Sequence, residues 1–197
     1  LYCNNSVTPL IADEHPRLSW KVDDSGTSAS QYVGNFLQSA YLIEVASRED
    51  AIDNPDIWCS GEVDSSPSGD ILLPASLKGT TRYWWRVKVK DQTGTWHCSQ
   101  PTWFETGLLR AEDLKAQWIN AGSRYISNWA MLYRRDFFVS GQVAKARVYI
   151  SSLGFYELTI NGKRVGDHVL DPGMTEYPKK IFYTGYDVTD IIQGGGN

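Results

Sequence analysis

Cysteine is scarce in this 197-residue chain: Cys3, Cys59 and Cys98 are all there is. An odd count at long spacings makes neither a zinc motif nor a disulfide framework. All three are therefore expected as free, partly buried small hydrophobes. Histidine is equally sparse, and His15, His97 and His168 stand far apart, so no metal site and no cofactor is expected. No apolar run approaches the roughly 20 residues that cross a bilayer, which excludes a helical membrane span. Net charge is −4, and no long run of Lys and Arg exists. That excludes a general nucleic-acid binder, which needs clustered cations against phosphate. The pairs Arg134-Arg135, Lys163-Arg164 and Lys179-Lys180 read instead as solvated strand or turn positions. A starting Met is missing as well. Leu1 opens the chain and Gly194-Gly195-Gly196-Asn197 ends it without a closing element. The expectation is a piece of a longer protein, without its signal peptide.

What the chain does have is β pattern. Hydrophobic residues make up 42% and aromatics 13%, a globular composition. Strands alternate inward and outward residues with period two. Arg17–Val22 places Leu18, Trp20 and Val22 on one face, and Ala40–Ala46 does the same with Tyr41, Ile43 and Val45. Tyr83–Lys90 is the clearest case, with Tyr83, Trp85, Val87 and Val89 inward and Arg86, Lys88 and Lys90 outward. Asp91–Gly94 predicts a turn, Trp96 is expected to pack at the sandwich end, and Trp103–Thr106 follows as a strand. Short strands punctuated by Gly, Pro, Asp and Ser predict an immunoglobulin-like sandwich of the fibronectin type III kind.

A boundary is expected after Leu108. Residues 1–108 hold 8 basic against 14 acidic side chains, whereas residues 109–197 hold 11 against 9. Gly107–Leu114 breaks the β pattern, and Leu108–Leu114 within it predicts one helical turn. Beyond it, Ala116–Ile119, Met131–Val139, Ala146–Ser151, Tyr156–Val165 and Ile181–Val188 predict five or six strands. Asn161-Gly162, between alternating runs, marks a type I′ hairpin, because both turn residues need φ > 0. A jelly roll uses about eight strands, so residues 109–197 are expected to form a partial, truncated jelly-roll-like β-sandwich.

These residues carry a family resemblance. Tyr41–Ser47, Ile57–Val63, Tyr83–Val87 and Trp103–Leu109 resemble the N-terminal fibronectin-like module of bacterial α-L-rhamnosidases. Leu153–Asp167, Leu170–Tyr177 and Tyr186–Thr189 are similar to the opening of that family's next β-sandwich, with Met174 where the family often carries Trp. The resemblance implies a parent that removes terminal α-L-rhamnose from glycosides or polysaccharides with inversion. Inversion needs two carboxyl groups roughly 6.5–9.5 Å apart, one protonating the leaving oxygen and one activating water. The family carries them in a helical barrel downstream, and this chain has no amphipathic helices to build one. No catalytic residue is expected here; the implied partners are that barrel in the same polypeptide and a rhamnose-containing glycan. A periplasmic or secreted parent is expected over a cytoplasmic one.

Asp167, Asp171 and Glu176 are expected in turns and hairpin ends. Trp20, Tyr83 and Trp85 are expected in the core, whereas Trp129 and Tyr177 are the candidates for stacking on a sugar ring. Two classes of function follow: an inert accessory region of an α-L-rhamnosidase, or a stand-alone carbohydrate-binding or adhesion module.

Overall fold

The computed structural model describes residues 1–22, 36–120, 122 and 130–197. The chain divides into two compact units, Leu1–Ala116 and Gln117–Asn197. Both are built from strands.

Among its described residues the first unit holds nine strands. In chain order they are β1 (Tyr2–Cys3), β2 (Leu10–Ile11), β3 (Arg17–Ser19), β4 (Gln38–Ala46), β5 (Trp58–Cys59), β6 (Ile71–Leu72), β7 (Arg82–Asp91), β8 (Trp96–Cys98) and β9 (Thr102–Thr106). One sheet has the order β1-β3-β6, and the other β2-β9-β7-β4-β5, with β8 also paired to β7. The spine is the antiparallel pair of β4 and β7, in which Ile43 faces Val87 and Val45 faces Trp85. Because side chains alternate, this register sends Tyr83, Trp85, Val87 and Val89 inward, and all four are buried. They join Leu18, Trp20, Tyr41, Ile43, Val45 and Phe104 in one core. Trp20 meets Tyr41 edge-on at 5.1 Å between ring centres, and its Nε1 donates to Gln38 at 2.9 Å. Each such large side chain contributes roughly 1.5–3 kcal/mol by leaving water. Trp85 and Phe104 are fully buried.

Val22 departs from its expected face and is exposed. The strand that begins at Arg17 ends at Ser19, so the alternation has no ladder to hold Val22 against the core. Trp96 departs too. It sits in the hairpin after β7 with 39% of its surface exposed, and Lys90 Nζ lies 5.4 Å from its ring centre. The turn itself forms as the sequence predicts. The Asp91 carboxylate accepts from the Thr93 and Thr95 amides, and Gly94 takes φ +88°. Around Leu108–Leu114 a single 3₁₀ turn forms at Ala111–Asp113, closed by the Asp113 carboxylate accepting from the amides of Leu109 and Arg110. Among the cysteines, Cys3 is free and buried, and Cys59 and Cys98 are free and exposed.

Among its described residues the second unit holds six short strands: β10 (Phe138–Val139), β11 (Arg147–Ile150), β12 (Thr159–Ile160), β13 (Lys163–Arg164), β14 (Thr184–Asp187) and β15 (Gly195–Gly196). They form three separate antiparallel pairs, β10-β15, β11-β14 and β12-β13. Asn161 and Gly162 take φ +52° and +75°, the type I′ signature the sequence predicts. Ala116–Ile119, most of Met131–Val139 and Ile181–Tyr183 form no strand, and Trp118, Leu132 and Phe138 are exposed. A strand needs a hydrogen-bonding neighbour, and alternation alone does not supply one. Among the described residues, Val165 and Val188 are the buried large apolar side chains of this unit.

Candidate functional site

Among its described residues the second unit buries few large apolar side chains, and a polar cluster holds its segments together. Its hub is Asp171, which lies in the loop between β13 and β14. The Asp171 carboxylate accepts from His168 Nδ1 at 2.9 Å and from the Tyr186 hydroxyl on β14. Tyr156 places its hydroxyl 3.4 Å from the same oxygen and 3.2 Å from the Tyr186 hydroxyl. The Tyr156 amide also donates to the Asp171 carbonyl at 2.9 Å. One residue therefore ties together the chain before β12, the loop after β13 and strand β14.

Local backbone shapes this hub. Leu170 takes φ +61°, a left-handed conformation that costs a branched residue of order 1–3 kcal/mol, and the Asp171–Pro172 peptide is cis. Gly166 lies under Tyr186. A Cβ at that position would stand 2.3 Å from the Tyr186 ring, so glycine alone fits. Arg164 donates to the His168 carbonyl at 2.9 Å and holds the loop from the β13 side.

Charge follows from these contacts. Hydrogen bonding from Tyr186, and then from His168, holds the Asp171 carboxyl below the usual carboxylate range against the opposing effect of burial. Burial first, then donation to Asp171, pushes the Tyr186 phenol up. The bond to Asp171 raises His168 above its ordinary value. At neutral pH the arrangement is an ionised carboxylate surrounded by donors. Because its members satisfy one another across three segments, the cluster is suited to bracing them.

The other sequence candidates do not converge on it as a set. The Asp167 side chain is fully exposed, with an oxygen 3.9 Å from His168 Nε2, and Glu176 pairs with Lys179 at 2.8 Å in solvent. Tyr177 is half-buried, and its hydroxyl accepts from the Gly154 amide at 2.9 Å. Trp129 lies outside the described residues. Met174 is exposed. No group of three or more His, Cys, Asp or Glu among the described residues is arranged to hold a metal. Sequence reasoning missed the meeting of Tyr156, His168, Asp171 and Tyr186, because no spacing rule links positions on three different segments. The usable signal was Gly166, a glycine just past a strand where an aromatic ring needs room.

Two immunoglobulin-type sheets followed by a second, strand-built unit define an all-β region of two units. Known proteins of that class match this chain. Residues 1–110 match the family described as the Rha78A-like, N-terminal immunoglobulin domain, and residues 141–197 the α-L-rhamnosidase N-terminal domain. The chain belongs to this family of α-L-rhamnosidase N-terminal regions. An α-L-rhamnosidase of Formosa agariphila is 36% identical over 98% of this chain and 22% of its own length. The structure of the α-L-rhamnosidase from Dictyoglumus thermophilum superposes with a TM-score of 0.83 at 35% identity, over 100% of this chain and 24% of that one. The structure of the Aspergillus terreus enzyme gives 0.71 at 28% identity, covering 99% and 22%. The chain thus spans about a fifth of the length of the curated relatives it matches.

Proposed function

We propose that this chain is the accessory N-terminal region of an α-L-rhamnosidase whose catalytic domain follows in the same polypeptide. The observation that carries this reading is order. The immunoglobulin-type match over residues 1–110 precedes the rhamnosidase N-terminal match over residues 141–197, in a chain that aligns with about a fifth of longer enzymes. The parent hydrolyses terminal α-L-rhamnose from glycosides or polysaccharides with inversion, and this region braces the catalytic domain without reacting itself. Residues 1–108 act as the fibronectin-like module and residues 109–197 as the first part of the next sandwich. Tyr177 and Trp129 are the side chains proposed to meet sugar.

The test is direct. The chain by itself should release no rhamnose from an aryl α-L-rhamnoside. Turnover that disappears on changing Asp171, Asp167 or Glu176 to the amide would overturn the reading. Joined to the catalytic sequence of its own gene, it should restore activity and thermal stability to a barrel expressed without it.

A further inference from the structure

The proposed function leaves one motif unused. Asn161-Gly162 is the chain's single Asn-Gly pair. Both residues are exposed, and an added Cβ on Gly162 would meet nothing within 4 Å, so the turn stands clear of neighbouring groups on that side. The hairpin around it is short. Thr159↔Arg164 and Ile160↔Lys163 pair across the turn, and beyond them the Val165 amide donates to the Leu158 carbonyl at 2.9 Å. A two-residue ladder opens readily, because isolated hairpins have little stability of their own. The Asn161 side chain nevertheless does structural work. Its Nδ2 donates to the Ile191 carbonyl and to Asn197 Oδ1, both at 2.9 Å. The Ile191 and Ile192 amides in turn donate to the Val188 carbonyl at 3.0 Å, and Val188 is one of the unit's few buried apolar residues.

We propose that Asn161 is a self-modification site, at which deamidation cuts the tie between the β12-β13 hairpin and the segment 188–192. When the hairpin opens, the Gly162 nitrogen attacks Asn161 Cγ. The new N–Cγ bond forms as the Cγ–Nδ2 bond breaks, and ammonia leaves with the proton lost from the Gly162 amide. Water then opens the cyclic imide at either carbonyl, giving aspartate or isoaspartate. No oxidant, metal or second protein is required. Either product replaces a donor with an acceptor, so a carboxylate faces the Ile191 carbonyl where an amide donated. Isoaspartate also inserts a methylene into the main chain, which breaks the Thr159↔Arg164 register.

The experiment ages the intact chain in mildly alkaline buffer at physiological temperature and maps its peptides. A synthetic Thr-Ile-Asn-Gly-Lys-Arg peptide is aged in parallel. The expected result is conversion at Asn161 ahead of every other asparagine, with one added negative charge per chain and faster hydrogen exchange at Ile191 and Ile192. Asn161→Asp should show that faster exchange from the start. An intact Asn161 after the free peptide has fully converted would overturn the site. Unchanged exchange at Ile191 and Ile192 in Asn161→Asp would overturn the tie.

Discussion

Glu44 on β4 stands directly opposite Arg86 on β7, its carboxylate 2.5 Å from the guanidinium Nε. Lys88 reaches the second oxygen at 2.9 Å, and Asp53 holds the far side of Arg86 at 2.8 Å. The Glu44 side chain is only 8% exposed. Burial would by itself raise its pKa, but the hydrogen bonds from Arg86 and Lys88 outweigh burial and hold it below the ordinary range. Removing Glu44 leaves the half-buried Arg86 to Asp53 alone and takes the carboxylate from Lys88. Glu44→Ala should therefore destabilise the first unit by about 3 kcal/mol, seen as a lower urea midpoint with an unchanged slope. A midpoint equal to that of the parent chain would show that the pair contributes nothing.

Gly166 offers a test of the second unit. In Gly166→Ala the new Cβ meets the Tyr186 ring, and the residue must also hold φ +76°. Both effects act against the Asp171 hub. The expected outcome is loss of slow-exchanging amides from β11 and β14, with the amides of β4 and β7 unaffected.

Acidity and alkalinity should act on the hub from opposite sides. His168 is raised in the folded state by Asp171, so its contribution is fully present below its unfolded value of about 6.5. It is lost as pH rises through the raised folded value. Asp171 is lowered, so its contribution is present above about 3.9 and lost as pH falls through the lowered folded value. Exchange protection of the loop between β13 and β14 should peak between these limits. In His168→Ala the decline on the alkaline side should disappear; an unaltered profile would remove His168 from the account.

Limited proteolysis separates the two units. The first has a continuous core of aromatic and branched side chains, and the second buries mainly Val165 and Val188 among its described large apolar residues. Local opening is easier where few apolar contacts must break. Trypsin should cut within residues 109–197 first, at positions such as the exposed Arg134, and leave residues 1–108 as a resistant product. Equal rates of cleavage would mean that the second unit is as well braced as the first.

The legible parts of this fold were those where sequence period and ladder agree. Tyr83 to Val89 alternates and also has β4 beside it from Trp84 onward and β9 beside Tyr83, so its inward residues are readable one by one. Asn161-Gly162 was readable because its turn type depends on two adjacent residues alone. Ala116–Ile119 and Ile181–Tyr183 have strand composition but form no strand in the structure, and pairing in a ladder cannot be seen in a local window. The hub was illegible for the same reason. In sequence Asp171 is a carboxylate near two others, yet its partners are Tyr156, His168 and Tyr186, brought together only by tertiary structure.

Strand β2 runs parallel to β9, with Leu10 beside Glu105 and Ile11 beside Thr106. The Glu105 amide donates to the Pro9 carbonyl at 2.9 Å and the Gly107 amide to the Ile11 carbonyl at 2.7 Å. Tension that draws β2 back toward Leu1 and β9 forward past Gly107 slides the two strands along each other. All the bonds between them then carry load together, in shear, and none can be peeled away singly. The first unit is built as a mechanical clasp across its own entry and exit.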